Sequence, residues 1–79
     1  MDGQYANYFQ IGQNAFDFVL DFGQFYTDED RVHLHTRIIT GPVYAKVLLG
    51  VLRDSVDEYE AKFGMIPQDE PGDGDGKPI

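Results

Sequence analysis

The sequence predicts an α+β domain: a three-stranded antiparallel meander followed by one long C-terminal amphipathic helix. Residues 1–66 form the domain and residues 67–79 an acidic tail. Three observations lead there. Apolar residues alternate with period two through the first half of the chain, as half-buried antiparallel strands require. From Pro42 to Phe63 they recur at helical spacing instead. After Ile66 the apolar periodicity stops and Pro, Gly and acids take over, a composition that cannot bury enough surface to order itself.

The first strand is expected over Tyr5 to Gly12, where Asn7, Phe9 and Ile11 alternate with Ala6, Tyr8 and Gln10. Gly12-Gln13-Asn14 makes a tight connection. The second strand, Ala15 to Phe22, sets Phe16, Phe18, Leu20 and Phe22 against Ala15, Asp17, Val19 and Asp21. Gly23 to Asp30 reads as a longer polar loop. The third strand, Arg31 to Ile39, places Val32, Leu34, Thr36 and Ile38 on the core face and His33, His35, Arg37 and Ile39 outside. Matching the apolar faces pairs Phe22 with Val32, Leu20 with Leu34, Phe18 with Thr36 and Phe16 with Ile38. The same register puts Asp21 opposite His33 and Asp17 opposite Arg37.

The helix has clear ends. Thr40 or Gly41 caps it, and Pro42 suits the first helical position, where a missing N–H costs nothing. Gly64 follows the last turn, the usual place for a residue that closes a helix. Ala45, Leu48, Leu49, Leu52, Val56, Tyr59 and Phe63 fall in one arc of about 100°. This stripe is expected to pack across one face of the sheet. Tyr44, Val47 and Val51 add a second apolar stripe in the first half, more than one sheet face needs. They are the candidate self-association surface.

Composition excludes more than it specifies. The chain has 79 residues, no cysteine and a formal charge of −8. Disulfides and cysteine-bound zinc are therefore out, and a reducing compartment is favoured. The N-terminus lacks the basic start and apolar run of a signal peptide. The longest apolar run, Val47 to Leu52, is too short to cross a bilayer. The expected location is the cytoplasm. Between residues 5 and 66 nine acids face five bases, so phosphate backbones and anionic lipids are repelled unless the cations cluster. A domain of about 60 residues buries only about 60% of its unfolded surface and is marginal alone. Self-association supplies what is missing.

Ala6-Asn7, Phe18-Val19-Leu20-Asp21-Phe22, Thr36-Arg37-Ile38-Ile39, Pro42, Ala45-Lys46, Leu48, Leu52, Tyr59-Glu60, Phe63-Gly64 and Ile66 occur in an order that resembles one small prokaryotic family, domain-of-unknown-function family 3467. The resemblance spans Tyr5 to Ile66. It implies a β-β-β-α fold and a bacterial or archaeal origin, and it carries no assigned activity. The chain departs from the pattern at Thr40-Gly41-Pro42, where Ser or Thr is expected directly before the proline.

Candidate chemistry is sparse. Asp17, Asp21, His33, His35 and Arg37 form the candidate polar cluster on the outer sheet face. His33 and His35, two apart on a strand, are the weak metal candidates, with Asp17 or Asp21 as an oxygen donor. The bland reading is an ordinary polar face answering charges across the ladder. Asp73-Gly74-Asp75-Gly76 echoes a calcium loop but lacks a third ligand in register and the closing Glu. No catalytic residue, cofactor or phosphate loop is expected. The expected role is a non-enzymatic interaction or assembly module acting as a homo-oligomer, a dimer in its simplest form, with room for a further protein partner. The alternatives are a nucleic-acid-binding dimer using Arg31, Arg37 and the outward sheet face, and a small metal- or ligand-binding protein centred on His33 and His35.

Overall fold

The computed structural model describes residues 1–67, so the expected tail falls almost wholly outside the described residues. Three strands and a helix follow in chain order: β1 (Tyr8–Gln13), β2 (Phe18–Tyr26), β3 (Arg31–Thr40) and α1 (Pro42–Phe63). The strands form one antiparallel sheet in the order β1-β2-β3. This is the expected α+β meander-plus-helix. The register and the placement of the helix differ from expectation.

Asn14 makes the first turn. Its side-chain Oδ1 accepts hydrogen bonds from the backbone N–H groups of Phe16 (2.7 Å) and Asp17 (2.8 Å), and its own N–H donates to the Asp17 carbonyl (3.0 Å). An asparagine side chain holding the backbone two and three residues on is a turn former that competes with strand. β2 therefore starts at Phe18 rather than Ala15. Phe16 sits in the turn, 79% exposed, and not in the core where the alternation placed it.

The second turn is tighter than the sequence suggested. The Tyr26 carbonyl accepts from the N–H groups of Glu29 (3.1 Å) and Asp30 (2.8 Å). Asp30 closes the turn at φ 54°, a left-handed conformation that Asp tolerates better than most residues. Gly23 to Tyr26, expected as loop, extend β2 instead. The hairpin thus closes later, and the register moves by four residues. Phe18 pairs with Thr40, Leu20 with Ile38 and Phe22 with Thr36. An even shift keeps the apolar faces matched, which is why parity was predictable and the partner was not.

A bulge then breaks the alternation. Phe22 and Gly23 are consecutive, yet they pair with Thr36 and Leu34, leaving His35 as the extra residue in β3. Beyond it the pairs are Gln24–His33, Phe25–Val32 and Tyr26–Arg31. The extra residue transfers Leu34 and Val32 from the Leu20 face to the opposite, Asp21 face. Gly23 makes this possible. A Cβ there would lie 2.5 Å from the His33 carbonyl oxygen and 2.9 Å from the Leu34 Cα, closer than side chains tolerate.

α1 begins where the sequence placed it. Gly41 is the cap residue, extended at φ −84° and ψ 166°, and its carbonyl accepts from Ala45 N–H (2.9 Å). Thr40 is the last residue of β3. Gly64, at φ 100°, ends the helix by donating its N–H to the Glu60 carbonyl (3.0 Å). Only the first turns approach the sheet, where Pro42, Ala45, Lys46 and Leu49 share a shallow concavity with Phe18. The helix does not lie across its own sheet: it contains no buried residue. Among the described residues Leu20, at 8% exposure, is the one buried apolar side chain.

Candidate functional site

The most extensive chemical feature is apolar surface without a cover. Pairing and alternation place Phe9, Ile11, Phe18, Leu20, Phe22 and Ile38 on one face of the sheet. Phe9 and Phe22, directly opposite each other, meet edge to face with centroids 5.8 Å apart. That contact is the core of a face whose rim is open, with Ile11 at 63% exposure. The main helix stripe is equally open: Leu48, Leu49, Leu52, Val56, Tyr59 and Phe63 are all exposed. Tyr59 and Phe63 stack along the stripe, centroids 4.9 Å apart, as i, i+4 neighbours do. The second stripe, Tyr44, Val47 and Val51, is also exposed. Because Ala45 and Leu49 border Phe18, the main stripe runs on from the Leu20 face as one bent apolar surface.

The polar cluster expected on the outer sheet face is only partly assembled. Asp21 and Arg37 stand directly opposite across β2 and β3 and pair in a two-pronged geometry. Arg37 Nε donates to Asp21 Oδ1 (2.8 Å) and Nη2 to Oδ2 (2.9 Å). Asp21 is 8% exposed and lies against the sheet, while the Arg37 side chain that covers it is 65% exposed to solvent. The guanidinium hydrogen bonds hold the Asp21 carboxyl below its ordinary value. Burial opposes this and Arg37's charge adds to it. The same hydrogen bonds raise the Arg37 value.

Of the other three members, Asp17 and His33 lie elsewhere and His35 stands at the border. Asp17 is in the Asn14 turn and does not face Arg37. His33 is opposite Gln24 rather than Asp21. His35, carried by the bulge, has Nδ1 2.7 Å from Thr36 Oγ1 and Nε2 3.0 Å from the Tyr5 carbonyl. The Nε2–H tautomer satisfies both contacts, accepting from the Thr36 hydroxyl at Nδ1 and donating to Tyr5 from Nε2. His35 thus sits at the edge between the two faces: it borders Phe22 and Thr36 on one side and shares a shallow concavity with Asp21 and Arg37 on the other. Among the described residues no group of three His, Cys, Asp or Glu side chains converges as a metal site would require. His35 is a structural tie between β3 and the N-terminal segment.

One positioning residue escaped the sequence reading. Asn7 lies just before β1, and its Oδ1 accepts from Phe25 N–H (2.8 Å) while its own N–H donates to the Gly23 carbonyl (3.0 Å). It pins the far end of β2 beside the bulge. Asn7 looked like one more alternating strand position, and nothing local in the sequence distinguished it.

Fold and surface together define a class: a small β-β-β-α module with an open apolar surface. The chain belongs to the family described as protein of unknown function (DUF3467), whose model matches residues 1–68. No curated protein and no solved structure matches the chain. Among the described residues no helix is long and apolar enough to cross a membrane.

Proposed function

We propose that this chain is a non-enzymatic assembly module that works as a homo-oligomer. The observation that carries this reading is the bent apolar surface formed by the Leu20 face and the main stripe of α1. Monomeric proteins rarely expose contiguous apolar patches beyond a few hundred Å². Here Phe9, Ile11, Ile38 and six large helix side chains are all exposed, and at roughly 200 Å² for each fully exposed side chain they present about 1,000 Å². That is a standard half-interface, about 800 Å² per partner.

The charged groups favour the same reading over nucleic-acid binding. Arg31 and Arg37, the cations that alternative needs, are held by Glu29 and Asp21, both at 2.8 Å. Sedimentation velocity across micromolar concentrations tests the proposal. Association into dimers or larger species is expected, with no salt-dependent retention on heparin. A folded monomer of 8.9 kDa throughout removes the proposal.

A further inference from the structure

The surface left open on one chain matches the surface left open on a second copy. We infer that α1 of one protomer packs on the Leu20 face of its partner's sheet while the partner's helix does the same in return, giving a twofold, helix-exchanged dimer. This rests on the homo-oligomer reading and specifies its architecture.

The connection between β3 and α1 is the first reason. It consists of Gly41 alone, in an extended conformation. Pro42 after it keeps Gly41 out of the helical region, so the linker cannot coil. A helix lying on a sheet has its axis roughly 10 Å above it, about half a helix diameter plus half a sheet spacing. The two Cα steps from Thr40 to Pro42 reach at most about 7 Å, even fully extended. Connections that fold a helix back onto its strand usually use two to six residues. The helix therefore projects from the sheet instead of reversing over it.

Economy of cover is the second reason. A helix-to-helix pair would bury Leu49, Leu52, Val56 and Phe63 but leave Phe9, Ile11 and Ile38 bare. Exchange covers both surfaces with one partner, and its symmetry makes every contact occur twice. The area fits as well. About 1,000 Å² per chain becomes about 2,000 Å² across the dimer, at the border between standard and obligate interfaces. Tyr44, Val47 and Val51 form the stripe beside the main one, centred about 120° around α1 from it. They stay outside the exchanged contact.

The chain's lack of cysteine allows a direct test on the full-length protein. Ile11→Cys and Leu52→Cys are made in separate chains, one carrying a size tag, mixed, and treated with a short bismaleimide. Ile38→Cys with Val56→Cys is a second pair, in case one substitution disturbs folding. Each double variant is also treated alone, and sedimentation of every sample gives the oligomeric state. Exchange predicts a cross-linked product joining the two different chains, formed roughly tenfold or more faster than with Val51→Cys as the helix partner. A dimer in which the double variant links only within one chain overturns exchange but leaves the homo-oligomer reading intact. So does a dimer that forms no sheet-to-helix product. A monomer by sedimentation overturns both.

Discussion

Gly23 lies in β2 where β3 carries its extra residue, and it works by having no side chain. A methyl group there meets the His33 carbonyl oxygen and the Leu34 Cα and Cδ2. Gly23→Ala should destabilise the fold by about 1–3 kcal/mol, the cost of overpacking a tight site, as read by urea denaturation, while Gly12→Ala costs under about 1 kcal/mol because nothing lies within 4 Å of its added Cβ. Asp21 gives a pH prediction. Its folded value lies below the ordinary 3.8, so its contribution to stability is complete above about pH 4 and is lost as pH falls through the folded value. Wild type should lose stability more steeply below pH 4 than Asp21→Asn, which has no such group to protonate. Parallel curves would mean the Arg37 contact contributes nothing. Asp21 and Arg37 were both legible as outer-face residues, but each with the wrong partner, because alternation fixes which face a residue takes and not which residue it meets.

At the scale of elements, the legible features were those written in local spacing. Pro42 and Gly64 marked both ends of α1, and the strand alternation found all three strands. What stayed hidden depended on two turns. Asn14 used its side chain to delay β2, and Asp30 took a left-handed conformation that no glycine announced. A one-residue bulge was hidden, since the apolar-polar pattern written in β3 continues through His35 while the faces its residues take reverse there, and only the pairing shows it. The same limit explains the polar cluster. His33 and His35 share strand parity, but the bulge turns His33 to the Leu20 face while His35 still borders Asp21. The helix carries its own prediction. Leu52→Asp should weaken self-association about 100-fold, matching the ~3 kcal/mol of a fully buried leucine, while Arg53→Asp on the charged face changes it little. Val51→Asp should fall between them and near the weak end, because the second stripe is centred about 120° around the helix from the main one. Sedimentation of the three variants ranks them, and equal effects at Leu52 and Arg53 would argue against the stripe as an interface.

For the whole molecule, the sequence already showed that so short a chain buries little alone, and the structure shows where the deficit lies. The expectation that α1 would cover its own sheet failed because periodicity describes a face and not its occupant. A single extended residue at Gly41 decides the matter. In the proposed dimer folding and assembly are one equilibrium, since the surfaces that complete the core would come from two chains. Stability must then depend on concentration. Thermal unfolding followed by circular dichroism over a hundredfold range of protein concentration tests this most directly. The midpoint is expected to rise steadily with concentration, with the unfolding fitted by a folded dimer passing to unfolded monomers. A midpoint that stays constant over that range, for a species sedimenting at 8.9 kDa, would contradict it.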